Sequence, residues 1–494
     1  MRIAPALDIE SYLNLINLNY KMNKTKKILL IAPATEFGAY PPLGLISIAS
    51  FIKEKGHDVK VIDYSGEDIE ELKVKKDIEN FNPDIVALGV LTGPGIKRAV
   101  MVSKIAKSLG KYVIWGGPHP TILPELTLKN ENIDAIILGE GEYALLDLID
   151  FIDKKIKEPL GTWIKNNGKI HSFGPQKRFV GLNEKPMPAW ELLGNLDKYF
   201  PYNRHNVVLM EATRGCVYKC TFCHHSNLDV KSYGGAYRNL TADKVMEQFC
   251  YIRDLTKKHI DRMDIGGDLH LATPAYTKKF AEDIKKIREG ITWQSVSKFH
   301  LMNIDLAGLV AKAGCEQIMF GVESGSPRLQ QFIGKMVNID QARFITKELR
   351  DKGVMVTNTY MMGHPHETYD ELKMTLKYMK AIPADQNLLQ IYRPFPGTPY
   401  YDLCVKENLC QPPKTLEECN TFGVLTYHAN ISDMPTKKLL REFYKTNLIE
   451  QTRYLINSQK FYLRNKMYEQ FFDNFRHNKF TFKLKELIRI KTKK

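Results

Sequence analysis

Apolar positions along this 494-residue chain fall into two successive series of short runs separated by amphipathic stretches. The first series occupies residues 28–32, 59–63, 85–90, 112–115 and 135–138, with helical periodicity between them, as at 43–55 and 96–109. Strands alternating with helices predict a parallel sheet covered on both faces, so 26–160 is expected to be a doubly wound, Rossmann-like α/β domain. Residues 161–174 predict a small hairpin turned at Asn166-Asn167-Gly168. The closely spaced prolines of Lys185-Pro-Met-Pro-Ala-Trp190 deny regular structure, which makes 161–205 a hairpin and linker.

The second series predicts strands near 207–212, 263–267, 292–296, 317–322, 354–361 and 388–392, with helices including 241–258, 276–288, 304–313 and 339–352. Six βα units over 206–400 predict a partial (β/α)6 barrel whose chemistry lies at the carboxyl ends of its strands. Residues 401–494 read as a helical extension, clearest at 437–455, and 1–25 as an N-terminal extension with a short helical pattern near 8–19.

A composition of 44% hydrophobic and 26% charged residues is that of a folded chain and excludes a disordered one. No apolar run approaches the roughly 20 residues that span a bilayer, and the first residues lack the pattern of a signal peptide. Eight cysteines, unevenly placed, do not suit a disulfide framework, so a reducing cytoplasm is the expected location. The net charge of +15 is concentrated at one end. Residues 451–494 carry twelve Lys and Arg against Glu469, Asp473 and Glu486, which leaves the rest of the chain only mildly basic. That tail interleaves basic and aromatic residues, as in Phe461-Tyr-Leu-Arg464 and Phe471-Phe-Asp-Asn-Phe-Arg476. It reads either as a helical cap with a solvated basic edge or as a segment lying on an anionic membrane at the inner surface. No compact RNA-binding module follows the barrel, so nucleic acid is not an expected partner.

The chemistry concentrates in Glu211-Ala-Thr-Arg-Gly-Cys216-Val-Tyr-Lys-Cys220-Thr-Phe-Cys223, directly after an apolar run. Three thiolates at this spacing can converge on one small inorganic centre. Zinc would need a fourth ligand, which His224 or His225 could supply. A 4Fe-4S cluster would instead keep one iron open. Spacing alone leaves both readings standing.

Glycine-rich loops follow the strands of the first series: Pro41-Pro42-Leu-Gly44, Leu91-Thr92-Gly-Pro-Gly95, Gly116-Gly117-Pro-His119-Pro-Thr121 and Gly139-Glu140-Gly141-Glu142. Open α/β sheets bind ligands beyond such strand ends, where glycine admits close approach and helix N-termini favour phosphate. Each loop alone reads as an ordinary tight turn. Together with the cysteine loop after strand one of a six-unit barrel, they resemble the cobalamin-dependent radical S-adenosylmethionine enzymes, a likeness covering roughly residues 26–401. Arg214-Gly-Cys216 and Phe222 match that family's cysteine loop. Gly266-Gly267-Asp268 is similar to its Gly-Gly-Glu loop, with aspartate in place of glutamate. Gly321-Val-Glu323-Ser324-Gly-Ser326, Gly363-His-Pro-His-Glu367-Thr368 and Pro394-Phe-Pro-Gly-Thr-Pro399 resemble its later strand ends.

The resemblance implies that Cys216, Cys220 and Cys223 hold three irons of a 4Fe-4S cluster whose open iron chelates S-adenosylmethionine. It implies cofactor contacts from Phe222, Gly266, Gly267, Asp268, Glu323 and Ser324. Cobalamin contacts would come from Pro42, Gly44, Thr92, Gly116, Gly117, His119, Gly139, Glu140, Gly141 and Glu142. No catalytic side chain is implied beyond the cluster ligands. The Asp-x-His-x-x-Gly signature of many cobalamin domains is missing, so cobalamin is expected without a histidine beneath cobalt, and His119 is expected to be structural or to touch the nucleotide tail. The implied reaction is methylation of an unactivated carbon through a 5′-deoxyadenosyl radical. The rivals are a radical cyclase or oxidative rearrangement on a tetrapyrrole, lipid or natural product, and a non-catalytic cobalamin or redox sensor. Implied partners are a small-molecule or lipid substrate and an electron donor such as flavodoxin or ferredoxin. Glu367 could be a cap or a functional acid. Cys404, Cys410 and Cys419 read as free thiols, and Lys219 and Lys298 as surface lysines that could bias the field at strand ends.

Overall fold

The computed structural model describes residues 25–33, 39–67, 69–200, 207–224, 237–257, 260–266, 268–422 and 430–464, the side chains of 461–464 excepted. Gly267, His225, the stretch 8–19 and the basic tail beyond 464 lie outside the described residues. Contacts divide the chain into two compact units, one within 1–199, 227–238 and 412–426, the other within 200–226, 239–411 and 427–494.

The first unit alternates β1 (Lys27–Ala32), α1 (Leu43–Glu54), β2 (Asp58–Asp63), α2 (Glu71–Phe81), β3 (Ile85–Gly89), α3 (Gly95–Ser108) and β4 (Tyr112–Gly116). Two short helices, α4 (Pro118–Ile122) and α5 (Pro124–Leu128), lead to β5 (Ala135–Ile137) and α6 (Gly141–Ile152), and β6 (Thr162–Asn166) and β7 (Lys169–Ser172) form the hairpin. The sheet order is β2-β1-β3-β4-β5-β6-β7, parallel through β5 and antiparallel thereafter. Central β1 is buried along nearly its whole length, because helices cover both faces. Since β1 lies between β2 and β3, the strand order reverses there, and the loops after β1 and β3 flank a topological switch point. Trp115 Nε1 donates to Ser103 Oγ at 2.8 Å and so ties β4 to α3.

In the second unit, β8 (Val207–Glu211), α7 (Ala242–Thr256), β9 (Arg262–Gly266), α8 (Pro274–Ile287), β10 (Thr292–Ser297), α9 (Ile304–Lys312) and β11 (Cys315–Glu323) come first. They are followed by α10 (Pro327–Phe332), α11 (Ile339–Asp351), β12 (Met355–Met362), α12 (Tyr369–Ala381), β13 (Gln386–Ile391), α13 (Pro399–Lys406) and α14 (Thr436–Arg464). The six strands pair in chain order from β8 to β13, all parallel. No pairing joins β13 to β8 among the described residues, so the sheet is a partial barrel with two edges. The β13 edge is covered by α14. Asn387 Nδ2 donates to Glu450 Oε2 at 2.9 Å, and Asn447 and Asn457 donate to the Leu389 and Asp385 carbonyls. Such cover removes an exposed template for strand addition. Side chains of Thr273, Asn303, Ser326, Asn338, Thr368 and Thr398 each accept from a backbone N–H in the first turn of the helix they precede. Those caps start six helices at defined points and set the loops between them.

The extension expected to be helical over 401–494 is not continuous. Between α13 and α14 the chain carries one 3₁₀ turn, Glu418–Thr421, among the described residues. Pro412 and Pro413 cannot propagate a helix. Segment 412–426 belongs to the first unit, where Asn420 Oδ1 accepts from Lys97 N at 2.7 Å, in the first turn of α3.

Candidate functional site

In the first unit the glycine-rich loops gather at the carboxyl ends of β1, β3, β4 and β5. Pro42 precedes α1, and at Gly44 a side chain would meet nothing within 4 Å. Neither α1 nor α6 is capped by a side chain of its own N-cap residue. Gly117 has φ 93° and ψ −171°, a region essentially reserved to glycine. A Cβ there would also lie 3.0 Å from the Val90 carbonyl oxygen. Val90 N donates to Gly116 O, and His119 N to Val90 O, which pins this loop to the one after β3. Open space at Gly44, glycine backbone at Gly117 and the switch point together fit a large ligand at this crevice.

The side chains placed there by motif make contacts within the unit. Thr92 Oγ1 lies 3.0 Å from His119 Nδ1, and both residues are buried. Burial holds the His119 pKa down to about 4, so the imidazole stays neutral. Gly139 N donates to Thr121 Oγ1 at 2.9 Å. Glu140 pairs with Arg238. At Gly141 a Cβ would lie 2.6 Å from Ile48 Cδ1 of α1, so the start of α6 runs close to α1. Glu142 is buried and accepts from Ser47 Oγ at 3.0 Å, so it joins α6 to α1.

In the second unit the cysteine loop follows β8. Its start is fixed by the Arg214–Glu211 ion pair, 2.8 Å, and by Gly215 N donating to Asp268 Oδ2 at 2.6 Å. Its end is fixed by Thr221 N donating to Ile333 O and by Tyr400 N donating to Thr221 O. Phe222 packs against the buried cluster of Ile333, Tyr392, Tyr400, Cys404 and Ile431. Cys216 and Cys223 are half-buried and Cys220 is buried, none of the three in a disulfide. Burial pushes the Cys216 thiol up, whereas a coordinating metal would deprotonate it outright. Among the described residues no three His, Cys, Asp or Glu side chains converge on a single-ion position. A donor set of three soft thiols on one loop, pinned at both ends, fits an iron–sulfur cluster.

Around this loop the other motifs occupy neighbouring strand ends. Gly266 closes β9, and Asp268 just beyond it holds the cysteine loop's backbone. Glu323 closes β11 in the left-handed region, φ 68°, at a register shift against β12. It is buried, paired with Lys335 at 2.7 Å, and accepts from Thr359 Oγ1. Strain of this kind at a strand end is retained where the surroundings enforce it, commonly at ligand sites. Ser324 Oγ lies 3.2 Å from Thr375 Oγ1 and accepts from Ser326 N. Glu367 is buried. Its Oε2 accepts from Gly363 N and His364 N, and burial raises its pKa to about 8. His364, equally buried, meets Tyr400 Oη at 3.1 Å and stacks on Tyr392. Glu367 is therefore a buried loop anchor and does not cap α12, whose first turn is capped by Thr368 and Glu371.

Two contacts were not apparent from the residue pattern. Lys335 is the partner of Glu323, twelve residues away across a helix and a loop, with no local signal to betray it. Lys298 is half-buried, its Nζ 3.9 Å from Cys220 Sγ and 3.2 Å from the centroid of the Tyr218 ring. Lys219 is exposed, as expected of a surface lysine.

Comparison with known proteins agrees with this geometry. Residues 32–149 match the B12 binding domain and residues 210–379 the Radical SAM superfamily. An uncharacterized methyltransferase of Pyrococcus horikoshii is 31% identical over 94% of this chain and 99% of its own length. The anaerobic magnesium-protoporphyrin IX monomethyl ester cyclase of Rubrivivax gelatinosus is 26% identical over 73% of this chain and 65% of its own. Among solved structures, the radical S-adenosylmethionine methyltransferase TsrM from Kitasatospora setae, with cobalamin and a [4Fe-4S] cluster bound, gives a TM-score of 0.66 at 16% identity. That match covers 78% of this chain and 75% of that one. The chain belongs to the radical SAM enzymes that carry an N-terminal B12-binding domain. Its cofactors are those of that family: cobalamin, S-adenosylmethionine and a 4Fe-4S cluster.

Proposed function

We propose that this enzyme methylates an unactivated carbon of a small-molecule or lipid substrate. The observation that carries the reading is the presence of B12-binding and radical SAM regions on one chain that aligns end to end with a relative named as a methyltransferase. The cyclase relative is less similar and matches less of this chain. Cys216, Cys220 and Cys223 would hold the cluster. Gly266, Gly267, Asp268, Glu323 and Ser324 would border S-adenosylmethionine at the strand ends, and the loops at Pro42–Gly44, Thr92, Gly116–His119 and Gly139–Glu142 would cradle cobalamin. When bound, these groups supply the electron, the carbon radical and the transferable methyl group.

The protein's own contribution is positioning. Arg214–Glu211 and Gly215–Asp268 hold one end of the cysteine loop, and Thr221 with Tyr400 and Ile333 holds the other. The loop therefore enters the reaction with little backbone freedom left to lose. Glu323 and Lys335 neutralise each other within hydrogen-bonding distance, so the strand end presents fixed polarity without net charge. Phe222 and the aromatic cluster beneath it keep water from the inner side of the loop.

Anaerobic reconstitution with iron, sulfide and hydroxocobalamin tests this assignment. About four irons and a stoichiometric cobalt per chain are expected, with only the iron lost when all three loop cysteines become alanine. Iron without cobalt, or zinc alone, would overturn it. Reduced enzyme given S-adenosylmethionine should then form both 5′-deoxyadenosine and S-adenosylhomocysteine once substrate is supplied. Deoxyadenosine alone would favour cyclisation or rearrangement.

A low-potential electron donor such as flavodoxin or ferredoxin is required by this chemistry. We further propose contact with an anionic membrane at the inner surface, on an observation in α14. Glu442 and Glu450 turn inward and are buried, while Tyr444, Leu448, Ile449 and Ile456 face outward beside exposed Arg441 and Lys445. An outward face that is apolar and basic, followed by a basic tail, is what such a surface attracts. Among the described residues no helix is long and apolar enough to cross a membrane. The full chain should co-sediment with phosphatidylglycerol vesicles and not with phosphatidylcholine ones, and Leu448→Glu/Ile449→Glu should abolish this. Self-association through α14 without vesicle binding would contradict it.

A further inference from the structure

Lys298 emerges from β10 into a 3₁₀ turn, Phe299–Leu301, that fixes its backbone: Leu301 N donates to Lys298 O at 3.0 Å. Phe299 anchors that turn in the core by stacking on Phe320 of β11, ring centroids 4.2 Å apart and nearly parallel. The side chain then returns across the cysteine loop. Its ammonium lies 3.9 Å from Cys220 Sγ and 3.2 Å from the centre of the Tyr218 ring, while Tyr218 Oη lies 2.8 Å from His300 Nε2. Tyr218 and His300 also meet edge to face at 5.6 Å. A half-buried lysine ordinarily finds a carboxylate. Among the described residues Lys298 has none within ion-pair distance, and its ammonium faces a thiol and an aromatic ring. The nearby Lys335 is neutralised by Glu323.

We propose that Lys298 is a positioning residue that sets the reduction potential of the cluster carried by the cysteine loop. It does so by holding a positive charge, and an N–H donor, against the sulfur of Cys220. Tyr218 and His300 keep the ammonium there. The proposal rests on the reading of Cys216, Cys220 and Cys223 as cluster ligands. Its physics is simple. One-electron reduction adds a negative charge to the cluster and moves no proton. A nearby cation and a donor to a ligand sulfur stabilise the reduced form over the oxidised one, and cluster potentials respond to net charge, hydrogen bonds to sulfur and solvent access. The attraction acts in a half-buried site, where Coulomb energy exceeds its value in water. An enzyme whose cluster must accept an electron from a flavodoxin or ferredoxin gains from such a charge, and the x3 spacer of the motif supplies the ring that places it.

The experiment is an EPR-monitored redox titration of the reconstituted full chain as wild type, Lys298→Met, Lys298→Arg and Tyr218→Leu. Iron content is measured in each. Lys298→Met should lower the ratio of reduced to oxidised cluster at fixed poise by about tenfold, a midpoint about 59 mV more negative for one electron. Lys298→Arg should restore the wild-type ratio. Tyr218→Leu retains the lysine but frees it, and should move the midpoint part of the way in the same direction. If Lys298→Met fails to hold iron, Tyr218→Leu still decides the matter. An unchanged midpoint in a cluster-loaded variant overturns this proposal alone. A wild type that binds no cluster overturns the assignment of the cysteines, and this proposal with it.

Discussion

Gly117 shows how much a single residue can decide. Its φ and ψ are closed to side chains, and a Cβ would press on the Val90 carbonyl. Gly117→Ala should therefore destabilise the chain by about 1–3 kcal/mol and lower cobalamin retention, measured by urea unfolding and by cobalt content. Glu367 makes a different prediction. Its folded pKa, about 8, exceeds the ordinary value of 4.5 because burial disfavours the carboxylate more than the N–H groups of His364 and Gly363 favour it. The folded state thus keeps a proton that the unfolded chain releases. Its stabilising contribution is complete below pH about 4.5 and is lost as pH rises through about 8. Unfolding midpoints should fall across that window, and Glu367→Gln should flatten the fall. An unaltered slope in the variant would rule out Glu367 as its source. At this scale the sequence was legible where chemistry is local, as in the cysteine spacing. It was silent where a partner lies far along the chain: Glu142 and Ser47 are 95 positions apart, and nothing in Gly139-Glu-Gly-Glu142 distinguishes a ligand contact from a helix tie.

Elements were easier to read than their additions. Most expected strands differ from the observed ones by one or two residues, because alternation of apolar runs with amphipathic stretches leaves few other arrangements. The hairpin was visible at Asn166-Asn167-Gly168, but its antiparallel attachment to β5 was not, since edge pairing depends on which strand is left unpaired. Strand β11 runs on to Glu323, past the regular register, and the bulge there turns Glu323 toward Lys335. Removing one member of this buried pair leaves the other charge stranded. Lys335→Met should cost about 3–5 kcal/mol, and adding Glu323→Gln should recover part of that loss in the same denaturation assay. At α12 Thr368 and Glu371 cap each other reciprocally, a pairing the structure supplied, and Thr368→Ala should cost about 1 kcal/mol.

For the whole molecule, the order of two α/β units and the family they define were legible from motif order, because each loop occupies a strand end that the alternation had already located. Two things escaped. The return of the segment around 412–422 to the first unit buries Leu416, Cys419 and Phe422 and includes a contact between Asn420 and Lys97 that spans most of the chain. The covering of β13 by α14 involves buried Asn387 and Glu450 and half-buried Asn447 and Asn457, polar residues that a hydropathy pattern assigns to the surface.

That return of the chain has a consequence for synthesis. A ribosome releases the sheet of the first unit long before residues 412–422 exist, so the start of α3 must wait through the whole second unit for Asn420. Domains emerging N-terminal first usually finish before the next begins. Here the first to emerge is among the last to be completed. A fragment ending at the linker would lack one of its own pieces, and chaperone capture of nascent chains should persist until synthesis passes residue 422.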